Sequence, residues 1–128
     1  QWAKSVTAIG TNSSVFKSVA SDSSGNFYAA GRQSFVNTYT YGMGVSAIGS
    51  ASGFNIILVK YDGTGVAQWA KSVTAGAGAT EFYTVLADSL GNSYAVGSQI
   101  GVGAYAYGAS VSATGSAGSN NAVIVKYQ

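Results

Sequence analysis

The sequence predicts an all-β chain built from two copies of one antiparallel sheet, and three observations predict it. Gln1-Trp2-Ala3-Lys4-Ser5-Val6-Thr7-Ala8 returns unchanged as Gln68 to Ala75, and 24 of the 47 pairs formed by residues 15–61 and 81–127 are identical. The offset is 67 residues in the first stretch and 66 from Val15 onward, because Ile9 to Ser14 is one residue longer than Gly76 to Thr80. Apolar and polar residues alternate at the two-residue period of a half-buried strand, and helix signals are absent. Glycine and asparagine punctuate the alternating stretches, where tight connections demand positive φ.

Each element follows in order. Residues 1–7 form the first expected strand, with Trp2, Lys4 and Val6 on one side and Ala3, Ser5 and Thr7 on the other. Strands over 15–21 and 26–32 come next, joined by Asp22-Ser23-Ser24-Gly25-Asn26 as a hairpin turn. The run Ile56-Ile57-Leu58-Val59 makes 55–61 a strand that is apolar on both faces and needs cover on both. Asp62-Gly63-Thr64-Gly65 then turns the chain into a fourth strand, 68–74. The second unit repeats the pattern at 81–87, 92–98 and 121–127 and lacks a fourth strand of its own. Between the second and third strands lie the polar stretches 33–54 and 99–120. The alternation of Phe35, Asn37 and Tyr39 with Val45 and Ala47, around Tyr41-Gly42-Met43-Gly44, predicts an inserted short hairpin rather than a loose Ser/Gly loop. The chain therefore divides into an outer strand for a neighbouring sheet (1–8), a first unit (9–75) and a second unit (76–128).

Composition narrows function. Of 128 residues, 47% are hydrophobic and only 8% charged, with no Cys, His or Pro. Without Cys there is no disulfide and no thiolate metal site. Without His the usual general base and zinc ligand are missing. Six Lys/Arg stand against Asp22, Asp62, Glu81 and Asp88, a net charge of +2 that is too dilute for a nucleic-acid-binding face. No run of 18 apolar residues exists to span a membrane. Asp22 and Asp88 occupy equivalent turns and read as turn formers rather than calcium ligands. No two acids fall together as glycoside hydrolysis requires. We expect no enzyme activity, no cofactor and no metal. The chain opens at Gln1 without a legible signal peptide, as a processed or excised piece would.

Small residues (Ala29, Ala30, Gly31 and Ala95, Val96, Gly97) suit strands crowded near an axis where neighbouring sheets approach closely. Four-stranded antiparallel sheets packed face to face around such an axis make a β-propeller. The expected fold is thus all-β, with two propeller blades per chain, each of four antiparallel strands and an inserted hairpin. The ordered motifs Asp-Ser-x-Gly-Asn-x-Tyr-Ala-x-Gly, Asn-x-x-x-Val-Lys-Tyr-Asp-Gly-x-Gly and Trp-Ala-Lys-Ser resemble the bacterial β-propeller repeats usually called SBBP. The resemblance covers essentially all of both units. It implies one blade per unit, a secreted or cell-surface setting, and no catalytic residue that could be carried over. Gln128 departs from the motif, standing where the first unit has Asp62.

Two blades cannot close a ring, since propellers use about four to eight. Strand 1–7 and the edge of 121–127 are the two halves of a velcro closure, so identical chains are expected to join head to tail as a trimer or tetramer. Trp2, Lys4, Val6, Val123, Val125 and Tyr127 belong to that seam. The hairpins carry the candidate ligand groups: Tyr39, Tyr41, Tyr105 and Tyr107 as exposed aromatics, with Arg32, Asn37, Asn55 and Asn121 beside them. Tyr, Asn, Ser and Gly make adaptable binding loops, and repetition favours multivalent capture of a surface protein or glycan. The alternatives are a sugar-specific lectin with one site per blade, and tyrosines that only cap the sheet edges.

Overall fold

Asp22 shows how the sequence builds its first hairpin. Its side chain accepts the backbone N–H of Ser24 (2.9 Å) and Asn26 (3.0 Å), and Gly25 takes φ 80°. The chain reverses there because glycine carries no Cβ to clash in the left-handed region. Asp88 with Gly91 (φ 80°) repeats the turn, and Asp62 with Gly65 (φ 82°) builds a related one.

A computed structural model describes residues 1–8 and 12–128, and among them the chain is all-β, with twelve strands in four antiparallel sheets and no helix. The strands are β1 (Thr7–Ala8), β2 (Ser14–Ser21), β3 (Phe27–Ser34), β4 (Thr38–Gly42), β5 (Val45–Ile48) and β6 (Phe54–Tyr61), followed by β7 (Ala67–Ser72), β8 (Thr80–Ala87), β9 (Ser93–Ile100), β10 (Gly103–Gly108), β11 (Val111–Gly115) and β12 (Asn120–Tyr127). The first unit's sheet has order β2-β3-β6-β7, and the second unit's has order β12-β9-β8. The inserted hairpins are real: β4–β5 joins β1 in a sheet of its own, and β10–β11 forms the fourth sheet. The expected one-residue insertion at Ile9 to Ser14 falls partly on residues 9–11, as does the start of the 9–75 unit, and these lie outside the described residues.

The two sheets share one register. Val19 pairs with Ala29 and Ala29 with Val59, while Val85 pairs with Ala95 and Ala95 with Val125. A bulge interrupts β2 between Phe16 and Ser18 and β8 between Phe82 and Thr84. Gly31 and Gly97 sit opposite these bulges, where a Cβ would lie 1.9 Å from the Val15 carbonyl oxygen and 1.8 Å from that of Glu81. The crowding that selects glycine there comes from the bulged strand of the same sheet, not from a neighbouring sheet.

Two apolar layers form the core, and one of them joins the units. One face of the first sheet, with Tyr28, Ala30, Ile56 and Leu58, packs on Phe82, Val85, Val123 and Val125 of the second. Trp69 of β7 lies between Tyr28 and Tyr127, with ring centroids 6.0 and 6.3 Å away. The opposite face of the first sheet (Ala29, Ile57, Val59, Tyr61) is covered by its own hairpin through Tyr39 and Tyr41. The β6 strand is therefore buried on both sides, as its doubly apolar run requires.

The ends differ from expectation. Residues 1–6 join no ladder, and only Thr7 and Ala8 pair, with Thr40 and Tyr39 of β4. A strand needs an edge to pair with, and the edge equivalent to the one β7 uses on β6 is that of β12, in the second unit's sheet rather than the first's, against which residues 1–8 lie. The expected 68–74 strand likewise leaves its sheet after Ser72. The Thr74 N–H bonds the Ala106 carbonyl (2.9 Å) and the Ala106 N–H bonds the Ala75 carbonyl (3.0 Å), so this tail crosses to β10.

Gly97→Ala is expected to lower stability by roughly 1–3 kcal/mol, the usual cost of overpacking. Gly118→Ala, which meets open space, is expected to change it little. Urea denaturation midpoints at unchanged slope check the pair.

Candidate functional site

The hairpin tyrosines face inward. Tyr39, Tyr41, Tyr105 and Tyr107 are all buried, which corrects the expectation that they are exposed. Each hairpin folds back over the face of its own sheet, so the side of β4 or β10 that carries the alternate tyrosines becomes the covered side. The hydroxyls are engaged. Tyr41 donates to Gln33 Oε1 and Tyr107 to Gln99 Oε1, both at 2.8 Å. Tyr39 reaches the Ser13 carbonyl at 2.9 Å, and Tyr105 bonds the Ile100 carbonyl. Burial pushes the Tyr41 and Tyr107 phenols well above their ordinary range.

The polar companions are also occupied. Arg32 stacks over the Phe54 ring at 3.7 Å and pairs with Glu81 at 3.1 Å, where Lys17 joins it. Asn55 accepts the Ala51 N–H (2.8 Å) and donates to the Phe35 carbonyl (3.0 Å). Asn121 braces the second unit's loop in the same way, accepting from Ser116 and Ala117 and donating to Gly101. These amides hold the entry to β6 and β12 rather than standing in solvent. Asn37 is half-buried just before β4.

The acids are absorbed by turns. Asp88 accepts from Asn92 Nδ2 (2.7 Å), the N–H of Leu90 and Asn92, and the Tyr94 hydroxyl (3.1 Å). The Asn92 side chain and these further donors bring its carboxyl down to about 2, and Asn26 does the same in direction for Asp22. The Tyr28 hydroxyl touches both Asp22 (3.0 Å) and the Gly91 carbonyl (2.9 Å), which ties the first turn to the second unit. Among the described residues, no three of Asp and Glu converge as a metal site. Nor, among them, is any helix long and apolar enough to cross a membrane.

What remains is a pair of apolar faces. The outer face of the first sheet has an open groove of about 400 Å³ lined by Trp2, Phe16, Val19, Phe27 and Tyr61. The outer face of the second sheet has one of about 370 Å³ lined by Tyr83, Val96, Ala122 and Ile124. Trp2 lies in the first groove, 5.6 Å from Phe27 and 6.1 Å from Tyr61 by ring centroid, and donates to the Gly63 carbonyl (3.3 Å). Of the expected seam residues, Trp2 and Lys4 are exposed and Val6 half-buried, while Val123, Val125 and Tyr127 are buried against the first sheet. The open face of β12 carries Ile124 and Lys126 instead.

Sequence reasoning missed Phe16, Val19 and Tyr94. The repeat could have found them, because each has a counterpart 66 residues away that is buried: Phe16 is 39% exposed and Phe82 0%, Val19 66% and Val85 2%, and Tyr94 is half-buried where Tyr28 is 0% exposed. Ile124, a residue the sequence places at the seam, is 68% exposed where Leu58 is 0%. No protein-family model matches the chain, and no curated protein matches it.

Stability is expected to fall at both pH extremes. Between the free carboxyl value of about 3.9 and the depressed Asp88 value of about 2, the unfolded chain binds more protons, so acid removes stability as pH drops. The buried phenols act oppositely: their contribution is whole below the free value of about 10 and is lost as pH rises above it. Melting temperature against pH should be flat between these limits, and Asp88→Asn should flatten the acid limb. The tyrosinate absorbance of the buried phenols should appear together with unfolding rather than before it.

Proposed function

We propose that the chain is a non-catalytic segment of a β-propeller, each unit a blade, and that it serves as a scaffold by joining copies of itself head to tail into a closed ring. The observation that carries the reading is the position of Trp2. It packs against Tyr61 of the first unit as Trp69 packs against Tyr127 of the second, with centroids 6.1 and 6.3 Å apart. Residues 1–8 therefore lie on the first sheet as the outer strand of a preceding blade would. Three chains make six blades and four make eight, within the propeller range of about four to eight.

The engaged acids and phenols support a structural rather than a catalytic role. With the tyrosines internal, a protein or glycan partner would meet the hairpin tips, Met43-Gly44 and Ala109-Ser110, which are exposed and repeat around such a ring. The resemblance of the repeat to bacterial SBBP propellers favours a secreted or cell-surface setting.

Sedimentation equilibrium is expected to return three or four times the 12.9 kDa chain mass, without dissociation on moderate dilution. A stable species at the single-chain mass overturns the ring.

A further inference from the structure

We infer that the seam between two chains repeats the seam inside one chain, with a register fixed by the repeat: Trp2 opposite Lys126, Ala3 opposite Val125, Lys4 opposite Ile124 and Ser5 opposite Val123 of a second copy. The inference rests on the ring reading and gives it a residue-level interface.

The internal seam supplies the template. The β6–β7 ladder places Trp69 opposite Lys60, Ala70 opposite Val59, Lys71 opposite Leu58 and Ser72 opposite Ile57. Residues 2–5 repeat 69–72 without change, and 123–126 repeat 57–60 with only Ile57→Val and Leu58→Ile differences. The receiving edge of β12 is unpaired among the described residues, and residues 1–6 have no ladder. Both halves of the ladder are thus present in every chain, and among the described residues neither is completed.

The faces agree with the strands. Inside the chain, Phe82 and Val85 are covered by the first sheet's Tyr28 and Leu58. Their equivalents Phe16 and Val19 lie open in the groove of one end, and of the equivalents of the covering pair at the other end, Ile124 lies open and Tyr94 is half-buried. Seating the second sheet of one copy on the first sheet of the next buries the same residue types against one another. It also brings the Tyr94 hydroxyl toward the Gly25 carbonyl of the next copy, as Tyr28 meets Gly91. Because each end complements the other and neither complements itself, the contact is head to tail.

The two seams differ in charge. Glu81 meets Lys17 and Arg32 across the internal seam. The equivalent positions across the seam between copies are Val15, Tyr83 and Ser98, so no ion pair forms there.

The chain has no cysteine, so introduced thiols can pair only with each other. Lys4→Cys and Ile124→Cys chains, mixed and mildly oxidised, are expected to give a covalent dimer of the two variants as the main product. Facing residues on paired strands lie about 4.5–5.5 Å apart, within disulfide reach, whereas a two-residue offset places them at about 7–8 Å. The mixture of Lys4→Cys with Ala122→Cys should therefore cross-link several-fold less. Equal yields in the two mixtures, or none in either while sedimentation still returns a closed oligomer, overturn the register and leave the ring standing. A single-chain mass throughout overturns both.

Discussion

A β-sheet with apolar side chains on both faces needs a covering layer on each, and the organisation of this molecule follows from that requirement. Strand β6, with Ile56, Ile57, Leu58 and Val59 all fully buried, meets it twice: once against the second sheet and once beneath the hairpin β4–β5. Apolar burial stabilises by about 25 cal/mol per Å². Trp69, set between Tyr28 and Tyr127, closes the outer margin of the same interface. The inserted hairpins belong to this arrangement, since their tyrosines fill the space that a flat sheet-on-sheet contact would leave.

The second sheet carries nearly the same residues in the same register but obtains only half the cover. Val123, Val125 and Tyr127 are buried while Ile124, between them, is open. Equivalent side chains thus occupy opposite environments within one molecule, which separates what a residue is from what surrounds it. Phe16 and Phe82 share the bulge, the facing glycine and the ring, and differ in whether another sheet lies above.

Much of the fold was legible because strand period and turn chemistry are local properties. The core strands lie within a residue or two of their expected bounds, and the Asp-x-x-Gly-Asn turns were readable from two residue types alone. Which side of a hairpin turns inward is not local. Alternation places Tyr39 and Tyr41 on one face of β4, but only the return of β4 over its own sheet, fixed by the Tyr41–Gln33 hydrogen bond, decides that this face is hidden. Gln33 and Gln99, both buried, gave no sign in the sequence that they would accept hydrogen bonds from the phenol hydroxyls. The role of Gly31 and Gly97 was similarly obscured, because a bulge depends on strand pairing and not on any single residue. For the end faces, comparing equivalent positions of the two units carries the information that composition lacks.

The crossing of the 67–75 ribbon from the first unit into the second has a bearing on how the molecule comes apart. Residues 67–72 belong to the first sheet, but Thr74 and Ala75 are hydrogen-bonded to β10 of the second unit. One continuous ribbon is therefore shared by both halves, and neither half can melt without fraying the other. Such a chain is expected to denature in a single cooperative transition, in contrast to the stepwise loss of modules in arrays whose repeats merely touch.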